Sequence, residues 1–196
     1  LKAVVSDLAA ARARVEGAGG TLLFAGHLED RRWDTRDRRL TARDEVLRTR
    51  VATPFPGAVG SAHASLDFKG RTRLEGGYKV REERSTPIGD AGLLALILER
   101  AGFVVTREID REIAQYALDG AVVRFEVYPE MDVLVEVEGT PAAIERAVAA
   151  LGIPRAAFGT GSLGEYLAAY RRRTGRAGAA SRRELAGDRP FRDGDA

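Results

Sequence analysis

The chain has 196 residues, with 31 Lys and Arg against 29 Asp and Glu, so its formal charge is only +2 although 31% of its residues are charged. That length suits one domain with a core of its own. The absence of cysteine excludes disulfides, thiolate metal ligands and a cysteine nucleophile and fits a cytoplasmic protein, and no apolar run is long enough to span a bilayer.

Arginine far outnumbers lysine. Its planar fork suits phosphate oxygens, although a GC-rich genome produces the same bias. The first residue is Leu1 rather than Met, which reads as a trimmed N-terminus. Residues 2–5 read as the end of a strand. Ser6 or Asp7 then caps a helix over residues 8–18, with Leu8, Ala11 and Val15 on one stripe and glycines at its end. Residues 21–34 read as a strand, 34–41 as a polar turn, and 45–51 as a strand with Arg48 and Arg50 on one face. A loop over 53–62 follows. Residues 64–69 alternate, with Asp67 and Lys69 together, 70–77 connect, and 78–84 read as a strand on which Lys79, Arg81 and Glu83 share a face.

Asp90 caps a helix over 93–100, closed by Gly102. Residues 103–109 are strand-like, and 111–118 continue or pair with them. Asp119-Gly120 is a hairpin signal leading into residues 121–127. Over residues 132–139 the alternation is strict. Val133, Val135 and Val137 face one way, and Leu134, Glu136 and Glu138 face the other. Thr140 and Pro141 start a helix that stops at Gly152. The capping box Ser162–Glu165 starts a last helix, ending at Gly175. Residues 176–196 have little to bury and read as a disordered tail to a domain of residues 1–175.

Strands joined by turns and short loops make an antiparallel sheet, hence an α+β chain. The charged strand faces carry Arg48, Arg50, Lys69, Lys79, Arg81, Arg111 and Arg124, together with Asp30, Asp67, Glu83, Glu126, Glu136 and Glu138. Two arrangements account for this pattern. Either the charged face meets water, or the sheet closes into a barrel with a polar interior and helices over its apolar outside. In a barrel the arginines would bind a polyanion. The carboxylates would hold Mg²⁺ or Mn²⁺, which takes few carboxylates beside phosphate oxygens and water. Pattern alone leaves both open. Because the bases share faces with acids instead of forming one exposed stripe, nucleic acid is an unfavoured partner.

The ordered set Asp30-Arg31-Arg32-Trp33-Asp34, Leu47-Arg48-Thr49-Arg50, Phe68-Lys69-Gly70, Lys79-Val80-Arg81-Glu82-Glu83, Leu118-Asp119-Gly120 and Val135-Glu136-Val137-Glu138 resembles the CYTH superfamily over residues 2–175. These are the triphosphate tunnel metalloenzymes, which include class IV adenylyl cyclases and thiamine and inorganic triphosphatases. The resemblance implies a closed antiparallel β-barrel with helices packed outside, and a metal-dependent enzyme acting on a triphosphate such as ATP, thiamine triphosphate or tripolyphosphate. Cyclisation of ATP to cyclic AMP and pyrophosphate is the first reading. A triphosphatase is the second, and a non-catalytic nucleotide- or polyphosphate-binding module the third. The resemblance implies that Arg48, Arg50, Lys69, Arg81 and Arg111 grip phosphates, joined by Lys79 and Arg124 from the same charged faces. It implies that Glu136 and Glu138, with Glu126 and Glu83, coordinate Mg²⁺ or Mn²⁺, and that Lys2, Arg48 and Arg50 serve the chemistry. The family's E-x-E-x-K motif would end at Leu1-Lys2, with both glutamates before the first residue. Ile113 stands where the family usually has a second base, so one grip on phosphate is either missing or supplied by Arg107 or Arg124. His27 and His63 lack metal-site spacing, and Trp33 either packs or stacks on a base. A homodimer is a further candidate assembly.

Overall fold

The structure is a computed structural model and describes residues 1–190. Eight strands form one antiparallel sheet: β1 (Lys2–Val5), β2 (Thr21–Thr35), β3 (Val46–Pro54), β4 (His63–Lys69), β7 (Glu83–Pro87), β8 (Phe103–Leu118), β9 (Ala121–Val127) and β10 (Val133–Gly139). Their order is β1-β10-β9-β8-β2-β3-β4-β7, and a hairpin of β5 (Arg73–Glu75) and β6 (Tyr78–Val80) stands apart. The Asp119-Gly120 turn joins β8 to β9 with φ of 48° and 80°, both in the left-handed region that a two-residue hairpin of this kind demands.

Alternation gives each strand two different faces. The outer face is apolar: Ala3, Val5, Tyr116, Val123, Phe125, Val135 and Val137 are buried against α1 (Leu8–Gly17) and α4 (Pro141–Leu151). Helix α4 is capped by Thr140, whose side chain accepts from the Ala143 N–H, and ends at Gly152 with φ +66°. It buries Ile144, Val148 and Leu151, side chains worth about 1.5–3 kcal/mol each when removed from water. Helix α3 (Ala91–Arg100), capped by Asp90, covers Trp33 with Ala95 and Leu98.

The inner face is charged, and the sheet curls around it into the expected antiparallel barrel with helices outside. The seam is not a strand ladder, because β1 and β7 are the two ends of the strand order. The free edge of β1 instead exchanges two hydrogen bonds with Gly159, at 2.8 and 2.9 Å. Lys2 on β1 and Lys69 and Glu83 on β4 and β7 still line one common cavity.

Several segments differ from the sequence expectation. Residues 78–84 are not one strand. Gly76 and Gly77, with φ of +57° and +85°, turn β6 back onto β5, and a new strand restarts at Glu83 to pair with β4. The polar stretch over 34–41 holds the short helix α2 (Arg39–Ala42), anchored by buried Asp34, which accepts from the Leu40 and Thr41 N–H groups at 2.9 Å. Strand β8 runs unbroken through residues 103–118.

The expected disordered tail is corrected over residues 176–190. After α5 (Leu163–Thr174) the chain returns to the barrel. There Ala179, Ala180 and Ser181 are fully buried, and Ser181 caps α6 (Arg182–Leu185). Backbone hydrogen bonds to Glu130 and Asp110 hold this segment, and buried Glu184 pairs with Arg107 at 3.3 Å. Small residues buried through backbone contacts leave no hydropathy signal, so the sequence concealed it. Residues 191–196 of that expected tail lie outside the described residues.

Candidate active site in the barrel

The inner strand faces enclose a cavity of about 760 Å³. All seven predicted phosphate-binding residues, the four predicted metal ligands and Lys2 lie in its wall. Their pairing divides the wall into two sectors of opposite composition.

The first sector is built on β2 and β3, and its centre is Asp30. This carboxylate is 2% exposed. It accepts from Arg50 Nε and Nη2 at 2.7 and 2.9 Å, from Arg111 at 3.0 Å and from Arg48 at 3.3 Å. Burial pushes its pKa up, but Arg111, Arg48 and Arg50 outweigh that and hold it well below the ordinary carboxyl value. Strand register explains the convergence: Asp30 lies directly opposite Arg50, and Arg48 is the next inward residue on β3. Arg48 also reaches Asp67 on β4 at 2.6 Å, and Asp67 is held in turn by Ser85 on β7.

The second sector is built on β9 and β10, and here one guanidinium serves several acids. Arg124 donates to Glu136 at 3.1 Å and to Glu138 at 2.8 Å, and lies 3.8 Å from Glu126. Register again sets this arrangement, with Arg124 opposite Glu136 and Glu138 two residues further along the same face. Lys2 approaches Glu136 from β1 at 3.2 Å. Burial pulls the Lys2 pKa down, but Glu136 and Glu126 outweigh it and leave the ammonium more firmly protonated than usual. Burial pushes Glu136 up, but Lys2 and Arg124 outweigh it and keep the carboxylate ionised.

Arg111 joins the sectors. It donates to Asp30 on one side and to Glu126 at 2.9 Å on the other, beneath the ring of Tyr128. Glu126 is fully engaged, with its second oxygen accepting from the Tyr128 hydroxyl at 2.8 Å.

The remaining predicted residues stand at the rim. Lys69 pairs with half-exposed Glu83 at 2.6 Å. Arg81 donates to the backbone carbonyls of Gly70 and Asp44, fixing the loops beside the cavity. Lys79 has no carboxylate at ion-pair distance among the described residues, and burial and Arg81 lower its pKa. The four predicted metal ligands are not brought together: among the described residues no three acidic or imidazole side chains converge as a metal site. Glu83 is tied to Lys69, and Glu126 has both oxygens bonded inside the wall. Glu136 and Glu138 remain as a cavity-facing pair on one strand. That donor set fits a divalent ion taking two carboxylates and completing its shell with phosphate oxygens and water.

Ile113, at the usually basic position, is buried with Phe24, Leu28 and Ala52. These residues continue the inward faces of β8, β2 and β3, so beyond Arg111 the barrel interior is filled by apolar side chains. Of the two suggested substitutes for the missing base, Arg124 lines the cavity and Arg107 is engaged by Glu184. Trp33 is 2% exposed, donates to Thr49 at 3.0 Å and packs under α3, which removes it as a stacking surface. His63 bonds the Ser61 carbonyl and His27 stacks edge-on against Phe55.

No protein-family model matches the sequence, and no curated protein does either. Solved structures do match. A candidate adenylate cyclase from Vibrio parahaemolyticus aligns with a TM-score of 0.70 at 18% identity, over 86% of this chain and 95% of its own. A conserved protein from Pyrococcus furiosus aligns with a TM-score of 0.65 at 17% identity, over 84% and 96%. An adenylyl cyclase candidate from Hippeastrum, described as having a dominant triphosphatase activity, aligns with 0.58 at 16%, over 88% and 94%.

The chain shares the fold of these structures. In this barrel the expected cations and acids do share one cavity. What sequence reasoning missed was the organiser, Asp30, which it placed only among charged strand residues. Its one legible signal was its position inside the Asp-x-x-Trp-Asp run on a strand facing Arg48 and Arg50. Arg32, also in the cavity wall, was overlooked because it reads as one more arginine in an arginine-rich stretch.

Proposed function

We propose that this protein is a metal-dependent enzyme that hydrolyses a triphosphate held in the barrel. One observation carries the reading: a cation-rich sector around Asp30 and an acid-rich sector around Arg124 face one cavity and are joined by Arg111. Three guanidinia on one carboxylate leave donors for phosphate oxygens, and on β10 Glu138 uses only one oxygen on Arg124, while Glu136 would turn from Lys2 or Arg124 to a divalent cation. A triphosphate carrying such an ion has both charges in one ligand. Arg48, Arg50 and Arg111 would bind phosphoryl oxygens, supported by Lys69, Lys79, Arg81 and Arg124. Glu136 and Glu138 would hold Mg²⁺ or Mn²⁺, and the bound ion would neutralise charge that develops on the phosphate oxygens.

In hydrolysis a water oxygen forms a bond to the terminal phosphorus. The bond from that phosphorus to the bridging oxygen breaks, and the leaving diphosphate end keeps the electron pair. The proton of the water passes to phosphate product or solvent. Lys2, paired with Glu136 and protonated, orients and donates instead of abstracting. Catalysis then rests on fixed charge, as usual for phosphoryl transfer. Of the aromatics in the wall, Trp33 and Tyr128 are buried and offer no open ring to a base, which leaves half-buried Tyr78, its hydroxyl donating to Glu145, as the one ring at the rim among the described residues.

Adenylyl cyclisation is the second reading, favoured by the likeness to the Vibrio candidate cyclase. Incubation with Mg²⁺ or Mn²⁺ and tripolyphosphate, thiamine triphosphate or ATP separates the readings. Orthophosphate release marks a triphosphatase, and cyclic AMP with pyrophosphate marks a cyclase. Tight binding without turnover marks a binding module. Arg50→Ala should lower turnover by about 10²–10³-fold, the usual effect of losing one aligned charge donor. Unchanged turnover and binding in Arg50→Ala would remove the cavity from the mechanism.

A further inference from the structure

Arg32 on β2 lies directly opposite Arg48 on β3 and directly opposite Arg107 on β8. Three guanidinium side chains therefore stand abreast on adjacent strands, an arrangement that like-charge repulsion disfavours. The two outer members have acids of their own, Asp67 at 2.6 Å for Arg48 and Glu184 at 3.3 Å for Arg107. Arg32 lines the cavity, is largely screened from bulk water, and has no carboxylate at ion-pair distance among the described residues. Burial, and then the charge of Arg48, pull its pKa down to about 10 against the opposing pull of the Asp30 carboxylate. A second unmet donor belongs to the same row: Arg107 Nε is buried without an acceptor.

A charge held this way destabilises the unliganded fold. Nothing in the packing requires it, since Arg32 caps no helix and its own side chain closes no ion pair. The row lacks only an acceptor that carries negative charge.

We infer that Arg32 is an anion-binding residue of the cavity, taking oxygens of a condensed phosphate beside Arg48. It weakens the empty fold and strengthens the liganded one. This rests on the anion-binding reading of the cavity given above. Arg48, Arg50 and Arg111 each give part of their fork to a carboxylate, whereas Arg32 presents a fork with no carboxylate partner among the described residues.

The test compares the full chain with Arg32→Gln, Arg32→Lys and the exposed neighbour variant Arg31→Gln. Melting temperature is measured without ligand, and tripolyphosphate binding by titration calorimetry. Arg32→Gln should melt about 2–4 °C higher, as expected for roughly 1 kcal/mol in a chain of this size. It should also bind tripolyphosphate at least about tenfold more weakly, the scale of one charge-assisted contact. Arg32→Lys should recover part of the affinity, as a point charge without the fork. Arg31→Gln should change neither quantity. A lower melting temperature in Arg32→Gln means that the residue is structural and overturns the inference. Unchanged affinity overturns it as well, while leaving the cavity an anion site. Should the unmodified chain bind neither tripolyphosphate nor pyrophosphate, the anion reading of the cavity falls and takes this inference with it.

Discussion

The Asp30 and Arg124 sectors are inversions of each other. Around Asp30, one carboxylate holds Arg48, Arg50 and Arg111. Around Arg124, one guanidinium faces Glu136, Glu138 and Glu126. Both are built the same way, from inward positions two residues apart on neighbouring antiparallel strands, so geometry does not distinguish them. What differs is the sign of the surplus charge. The lesson is that a near-neutral cavity can hold two local excesses that cancel overall, which the net charge of +2 conceals. Among the described residues, Arg111 is the only side chain seen bonding both to Asp30, the centre of the first sector, and to Glu126, an acid of the second.

Removing the centre of the first sector should have the largest effect. Asp30→Ala leaves three guanidinia facing one another without their shared acid, and breaking a buried ion cluster in this way destabilises by about 3–5 kcal/mol. Urea denaturation checks it, and a loss below about 1 kcal/mol would mean that water or Asp67 replaces the missing acid.

The same sector should show itself in pH dependence. The Asp30 pKa is depressed in the fold, so its contribution to stability is fully present above the unfolded value of about 3.9 and is lost as pH falls below it. Denaturation midpoints between about pH 6 and 3 should therefore fall steeply below about pH 4 in the parent chain. Asp30→Asn should start less stable at neutral pH and follow a flatter slope through the same window. Equal slopes would place the acid sensitivity elsewhere.

For the second sector the main effect should be on the metal, with a smaller one on the fold. Glu136→Gln keeps the shape and frees Arg124 and Lys2 from one charge. The Mg²⁺ or Mn²⁺ concentration for half-maximal activity should rise about tenfold or more, the usual scale for disturbing metal-site partners, and the melting temperature should fall by less than in Asp30→Ala, because Lys2 and Arg124 each lose one ionic partner. An activation curve identical to the parent's would put the metal elsewhere. The smallest effect belongs to the rim. Glu83→Gln breaks a half-exposed pair with Lys69 and should change stability by no more than about 0.5 kcal/mol. A large metal defect in that variant would restore Glu83 to the ligand set.

Much of the fold was legible because local rules and burial agreed. The Asp119-Gly120 turn, the Ser162–Glu165 capping box and the Thr140-Pro141 helix start each name their structure from a few residues. The charged inner faces were legible too, since Arg48 and Arg50 on β3, Arg124 and Glu126 on β9, and Glu136 and Glu138 on β10 each stand two residues apart. Segment 78–84 was misread as one strand because the pattern of Lys79, Arg81 and Glu83 outweighed Gly76 and Gly77. Segment 176–190 was misread because alanines and a serine buried through backbone hydrogen bonds look the same in sequence as a solvated tail.

By itself, then, the sequence determined which residues share a strand face, where the chain turns, and that the apolar and charged faces are separated. Those properties depend on period and on neighbours within a few residues. Only the tertiary structure decided which acid meets which base. Asp30 and Arg111 are 81 positions apart, and Lys2 and Glu136 lie on β1 and β10, the first and last strands in chain order. Their meeting depends on strand order and register, which no local pattern encodes. That same register sets Arg32 between two arginines and leaves it, among the described residues, without a carboxylate at ion-pair distance.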